Sequence, residues 1–348
     1  MDKNSANRDV RVLGIDLGKN LLHVYGMDGN GRNVLRKVLK RGEVLEFLAN
    51  MKPCLIGMEA CSGAHHWGRK LLELGHDVKL MAPQLVKPYV KGSKNDYNDA
   101  AGICEAVSRE SMRFVAVKSV EQQEILALHR IRSLAVGHRT ALINQIRGLV
   151  MEFGIAIPEG AERLRKRLSE LVDSNEQGLS VAFMRLLKGL QEELNRLDEQ
   201  ISDYDRQIKA MSEQLEACRH LMTIPGMGAL TASALVATVG DVKSFRDGRE
   251  MAAWLGLVPR QHSTGGKTRL LGITKRGDSY VRKLLIHGAH SVLMWAGKKE
   301  DRVSRWVVGV EQRRGWCVAV TALAAKNVRI AWALLTKGEP YRAVAAAV

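Results

Sequence analysis

Val10-Arg11-Val12-Leu13-Gly14-Ile15-Asp16 alternates along its length, is rich in β-branched residues, and ends on an acid. That pattern predicts a buried strand with a carboxylate at its exit. Working outward, Gly18-Lys19 makes a turn and Leu21 to Met27 a second strand. Asp28-Gly29-Asn30-Gly31 is a hairpin signal that leads into a third strand, Val34 to Leu39. A helix fits Val44 to Met51. Cys54 to Met58 is a short apolar strand, again followed by an acid, Glu59. A helix over Trp67 to Leu74, a strand over Val78 to Met81 and a helix from about Tyr97 follow.

The predicted order β-β-β-α-β-α-β-α, three antiparallel strands and then strand–helix units, is that of the ribonuclease H-like fold. Its acids carry the chemistry. Asp16 and Glu59 end strands that would lie side by side at one sheet edge. Asp96 and Asp99 sit three apart at a helix start, so they share a face. Asp96 or Asp99 alone is explained by capping or a solvated turn, whereas Asp16 and Glu59 follow apolar strand runs, where an unpaired acid is costly. Four carboxylates in one place repel unless cations neutralise them. Oxygen-only ligation suits Mg²⁺ or Mn²⁺, and two such ions would clamp a scissile phosphate.

The chain has 348 residues, room for two or three domains, and 46% apolar with 26% charged residues mark a globular composition. Net charge is +16, distributed as +6 over residues 1–118, −2 over 119–215 and +12 over 216–348. The last third is therefore the candidate for holding a polyanion, DNA or RNA. The polar opening is unlike a signal peptide, and no apolar run reads as a membrane span, so no membrane partner is expected. Five scattered cysteines form no C-x-x-C pair, which argues against a zinc knuckle or a disulfide framework and fits a cytosolic protein. His65, His66 and Cys61 lie near Glu59 without zinc spacing and read as fold or substrate contacts.

Residues 121–153 have helical periodicity, interrupted by Gly154 to Gly160. From Phe183 through Leu187, Leu190, Leu194, Leu197, Ile201, Tyr204, Ile208 and Met211 to Leu215 the steps alternate four and three. That is a coiled-coil seam, predicting pairing between chains or a long helical hairpin, with packing on its own domain as the simpler alternative. Further on, Pro225-Gly226-Met227-Gly228 opens the helical stretch Leu230 to Val239, a device that presents backbone amides to a phosphate and resembles the helix-hairpin-helix turn. Gly pairs also serve tight packing, so binding at Gly226 and Gly228 is one of two readings. Trp254 to Lys267, Ile273 to Asp278 and Val281 to Leu285 follow. Within them glycines free the backbone while Arg260, Lys267, Arg269, Lys275, Arg276 and Arg282 are placed for phosphates. Ser263 in this setting reads, on residue chemistry alone, as a turn serine, and His262 as a loop residue.

Gly14-Ile15-Asp16, Gly57-Met58-Glu59-Ala60 and Lys94-Asn95-Asp96-Tyr97-Asn98-Asp99-Ala100 resemble the DEDD transposases of the "IS one-ten" group, most closely its "one-triple-one" branch, related to Piv invertases. The G-L-x-P, S/T-G and K-x-G pattern of the last third is similar to the same family's transposase domain. The resemblance implies a RuvC-like catalytic domain with trailing helix (1–155), a helical linker and coiled coil (156–215), and a mainly helical transposase domain (216–348). It implies a metal-binding tetrad Asp16, Glu59, Asp96, Asp99, with Mg²⁺ or Mn²⁺ as two ions. It also implies a serine nucleophile forming a phosphoserine link to DNA, best matched by Ser263. Some relatives place that serine directly before the glycine, where Thr264 stands here. Family membership further implies a bacterial cytoplasmic homo-oligomer (dimer or tetramer) acting on element ends and target DNA with an element-encoded guide RNA. The alternatives are a Holliday-junction resolvase using the carboxylates alone, a Piv-like invertase, and a non-catalytic nucleic-acid-binding scaffold.

Overall fold

The computed structural model describes residues 9–92, 95–174 and 179–342; Lys94, the first residue of the third quoted motif, lies outside them. Contacts divide the chain into two compact units, the first running to Glu121 with Val239–Ser244, the second comprising Gln122–Thr238 and the chain from Phe245 onward.

In the first unit, β1 (Val12–Leu17), β2 (Leu21–Met27) and β3 (Asn33–Lys40) form the meander, followed by α1 (Val44–Ala49), β4 (Leu55–Glu59), α2 (Ala64–Glu73), β5 (Asp77–Met81), α3 (Pro83–Val86), α4 (Asp96–Val107) and β6 (Phe114–Val115). The sheet order is β3-β2-β1-β4-β5-β6. β1 runs antiparallel to β2 and parallel to β4, and β4 parallel to β5. The elements follow one another as the sequence predicts, and β1 and β4 lie side by side as expected; the two-residue strand β6 is too short to carry a pattern. Leu13, Ile15, Leu22, Val24, Ile56, Met58 and Leu80 form the core of one sheet face with α1 and α2 residues such as Leu48 and Leu71.

α4 covers the other face, and two glycines let it come close. A side chain on Gly14 would strike the Ala100 carbonyl and Cys104, and one on Gly57 would strike Val107. Side chains two apart on a strand share a face. Asp16 and Glu59, each two residues beyond its glycine, therefore project on the side that α4 occupies. The G-x-D and G-x-E motifs are packing devices and site devices at once.

The second unit opens with α5 (Val120–Met151), most of which lies in it, then α6 (Ala161–Ser174) and α7 (Val181–Gln214). Leu187, Leu194 and Leu197 of α7 are buried together with Leu142, Ile143, Ile146 and Val150 of α5 and Leu164, Leu168 and Leu171 of α6. Arg132 pairs with Asp205 and Arg139 with Asp198, Arg165 of α6 joining the latter. Seven residues forward on α5 match seven backward on α7, so the two helices run antiparallel in heptad register. The residues of the four-three repeat in this cluster are covered by helices of the same chain. Most of α5 thus falls in the second unit, its apolar face packed on α6 and α7.

α8 (Glu216–Met222), α9 (Ala229–Val239), α10 (Gly248–Trp254), β7 (Pro259–Thr264), β8 (Lys267–Ile273), α11 (Ser279–Ala296), α12 (Arg302–Arg314) and α13 (Trp316–Lys337) complete the chain. α13 corrects one expectation. It is long and apolar enough, by length and composition, to cross a membrane. Its alanine-rich stretch is interrupted by Lys326 and Arg329, which hides it from a simple scan. Ala319, Val320, Leu323, Ala324, Val328 and Ala331 are buried where it packs on α10, α11 and α12.

Candidate active site

Asp16 and Glu59 leave adjacent parallel strands one step beyond the Ile15–Met58 pair, and α4 brings its first turn to the same face. The α4 cap is Asn95, whose Oδ1 accepts from Asn98 N–H at 2.8 Å. Asp96 and Asp99 are thus not spent as caps. Burial, then the charges of Asp99 and Asp96, raise the Asp16 carboxyl above its ordinary range, with His23 pulling the other way. Burial, then Asp16 and Asp99, raise Glu59. The four acids read from sequence feel one another, which is the physical content of a cluster.

His23 was missed by the sequence reading. It pairs with Asp16 across β1 and β2, lies 3.6 Å from the Asp96 carboxylate through Nδ1 and meets the Tyr97 ring edge-on at 5.0 Å. The Arg36 guanidinium covers the same ring at 4.0 Å. A lone histidine in a strand carries no spacing signal; only the register shows its place.

The donor set is oxygen only, as hard cations require. Burial and then the neighbouring Glu59 and Asp16 charges raise the Cys61 thiol beside this set. Among the described residues no three of His, Cys, Asp and Glu are arranged to hold an ion as they stand. By oxygen chemistry and mutual repulsion the residues suit hard divalent ions. His65 Nδ1 accepts the Lys118 amide at 3.2 Å and His66 stands edge-on to Trp67.

In the second unit, Ser263 lies on a two-stranded antiparallel hairpin, β7–β8, rather than in a loop. Its pairs are His262–Arg269, Ser263–Thr268 and Thr264–Lys267, with Gly265-Gly266 at the turn. All these side chains are exposed. Gln261 Nε2 donates to Ser263 Oγ at 2.8 Å. Alternation puts Gln261, Ser263 and Thr268 on one face, and His262, Thr264, Lys267 and Arg269 on the other. The cations next to the serine in sequence therefore share a face with Thr264. At the hairpin's base, Thr274 N–H donates to Val258 O at 2.9 Å and Lys275 N–H to Gly256 O at 3.2 Å. Lys275 is the one non-glycine residue with positive φ among those described, at 55°. Arg276 is exposed. Arg282 uses Nη1 on the Leu255 and Arg276 carbonyls at 3.1 and 2.6 Å, a structural brace as well as a charge. Arg260 precedes a register shift in β7.

A six-stranded sheet thus carries carboxylates at the ends of its two central parallel strands, with two more at the start of the covering helix. Residues 13–155 match the family model described as "DEDD_Tnp_IS110: Transposase", and residues 218–304 match "Transposase IS116/IS110/IS902 family". The chain is 49% identical to a "Probable family 20 transposase" of Pseudomonas aeruginosa, over 95% of this chain and 98% of the relative. It is 45% identical to the "Transposase for insertion sequence element IS1111A" of Coxiella burnetii, over 96% and 92%. The "Pilin gene-inverting protein" of Moraxella lacunata is similar at 28% identity over 35% of this chain and 37% of its own length. The chain belongs to the IS110/IS116/IS902 family of DEDD transposases.

Proposed function

We propose that this transposase cuts and rejoins DNA at the ends of its own insertion element and at a target, through a covalent serine–DNA intermediate, in the bacterial cytoplasm. The observation that supports the carboxylate half is the coupling of Asp16 and Glu59 to Asp96 and Asp99 across β1, β4 and α4. These four would hold Mg²⁺ or Mn²⁺; such ions, when bound, neutralise the carboxylates and stabilise charge on a scissile phosphate. α4, seated by Gly14 and Gly57, orients Asp96 and Asp99, while His23 and Tyr97 fix the first turn.

Ser263 is the proposed nucleophile. Its Oγ attacks phosphorus, the P–Oγ bond forms, and the deoxyribose oxygen leaves with a proton, so the energy of the broken ester is kept for rejoining. Gln261, bonded to that hydroxyl, orients it. A second reading is favoured by strand alternation: Thr264 shares its face with Lys267 and Arg269, whose charge would stabilise an attacking alkoxide. Guide-RNA dependence and a dimeric or tetrameric assembly rest on the family likeness, and the basic last third suits RNA as well as DNA. Incubating the protein with element-end DNA and a candidate guide in Mg²⁺ tests the reading. Strand cleavage with a protein–DNA adduct on a denaturing gel supports it; cleavage with free ends alone supports a resolvase.

A further inference from the structure

An open groove of about 520 Å³ lies beside the Pro225–Gly226 turn, walled by Ser291, Trp295, Lys298 and Lys299. Its floor is built rather than incidental. Gly226, at φ 83°, and Gly288 of α11 bring their backbones into direct contact, each leaving no room for a side chain on the other. The buried Asn327 donates from Nδ2 to Pro225 O at 3.0 Å, pinning the turn from α13. The glycine at 226 thus packs the turn on α11, whereas Gly228 is open.

Trp295, in the last turn of α11, is 57% exposed, so a large ring stands in solvent at the groove's wall without supporting the core. The Lys298 ammonium rests 4.9 Å from its centroid. Lys299 is the second cation. The Asp301 carboxylate, which feels the Lys299 charge, is engaged by the Val303 and Ser304 amides and the Ser304 hydroxyl as the α12 cap. Among the described residues no carboxylate lines the groove. An exposed indole with two cations and a rigid backbone turn is the combination that takes a base on its face and a phosphate beside it. A duplex, whose bases are stacked inside, cannot use the ring in this way.

We propose that this groove is a binding site for unpaired DNA, with one base stacked on Trp295 and the flanking phosphates at Lys298 and Lys299. This rests on the reading of the chain as a strand-processing enzyme, whose cut substrate exposes unpaired ends. The test uses the full chain and measures anisotropy of labelled twelve-nucleotide oligo-dT, oligo-U and a duplex across a salt series. Trp295→Ala should weaken oligo-dT binding roughly fivefold or more while leaving duplex binding unchanged, and Trp295→Phe should retain most of it. Lys298→Ala with Lys299→Ala should reduce the single-strand salt slope by roughly one. Equal oligo-dT affinity in Trp295→Ala and wild type overturns the site even if the wild type cleaves DNA. Loss confined to oligo-U overturns the assignment to DNA in favour of RNA. Loss of strand cleavage in Asp16→Ala is read separately and bears only on the carboxylates.

Discussion

The His23 imidazole stands 3.6 Å from the Asp96 carboxylate, and across the β1–β2 ladder it is the partner of Asp16. One side chain on β2 therefore touches the helix start and faces the strand end that together carry the acids. It sits at 13% side-chain exposure, held by the Tyr97 ring. His23→Ala should remove an edge-on ring contact worth about 1 kcal/mol. It should also lower metal-dependent cleavage by roughly tenfold, in the range for residues that orient metal-site ligands. Thermal unfolding and cleavage rate, measured side by side, check this; an unchanged rate would make His23 a packing residue only.

Gly14 and Asp16 share a strand face but do different work, and substitution separates them. Gly14→Ala drives a methyl into the α4 backbone, which must shift; overpacking of this kind costs about 1–3 kcal/mol. Asp16→Ala removes a repelled carboxylate, so the metal-free fold should be as stable or more so while strand cleavage is abolished and nucleic-acid binding persists. Asp99→Ala should behave likewise. Chemical denaturation and a gel-shift assay read the two properties. Robust cleavage by Asp16→Ala in Mg²⁺ or Mn²⁺ would remove the tetrad assignment.

His129 should give the second unit a pH dependence whose sign follows from its contacts. Ser233 Oγ donates to the Ala229 carbonyl at 2.6 Å, so it accepts from His129 Nε2 at 3.0 Å; Nδ1, at 3.0 Å from Tyr280 Oη, then accepts the tyrosine proton. Both ring nitrogens are satisfied only in the neutral form. Burial, and then the Arg132 charge, push the imidazole down to about 4, with Asp205 on α7 opposing. In the unfolded chain the ring titrates near 6.5. Below that pH the unfolded state binds a proton that the folded state refuses, so stability falls from pH 6.5 to about 4, by roughly 3 kcal/mol from this group, and levels off beneath. Urea unfolding at pH 7, 5.5 and 4.5 should show a flatter profile for His129→Gln than for the wild type. Parallel profiles would mean that the histidine is charged in the fold.

The sheet was legible because its strands are short, apolar and punctuated by turns, and Gly14-Ile15-Asp16 already holds both the packing glycine and the acid. Asp96 and Asp99 were legible as a pair three apart. His23 was not, because its role comes from register against Asp16. The α7 seam was legible as a period but not as a partnership: a four-three repeat states that Leu194 and Ile201 need covering, and not whether α5 or a second chain covers them. Ser263 read as a loop residue because Ser263-Thr264-Gly265-Gly266-Lys267 is turn-like in composition. Exposed on both faces, a two-stranded ribbon has no apolar alternation to announce it.

That ribbon makes the choice between the two hydroxyls testable. Ser263 and Thr264 are adjacent on β7 and so face opposite ways, one toward Gln261 and Thr268, the other toward Lys267 and Arg269. If Ser263 is the nucleophile, Ser263→Ala loses the covalent adduct and recombination but keeps nucleic-acid affinity, since the phosphate-facing cations remain. Gln261→Ala should then slow adduct formation without eliminating it, because the attacking oxygen loses only its orienting bond. If Thr264 is the nucleophile, Thr264→Ala abolishes the adduct, Gln261→Ala leaves its rate unchanged, and Lys267→Ala or Arg269→Ala slows it through lost charge on the shared face. Both substituted positions are exposed, so fold stability should move by less than about 0.5 kcal/mol in either case. The measurement is a denaturing gel of protein joined to labelled element-end DNA, with guide and Mg²⁺ present. An adduct undiminished in Ser263→Ala and in Thr264→Ala would place the attacking group outside the hairpin.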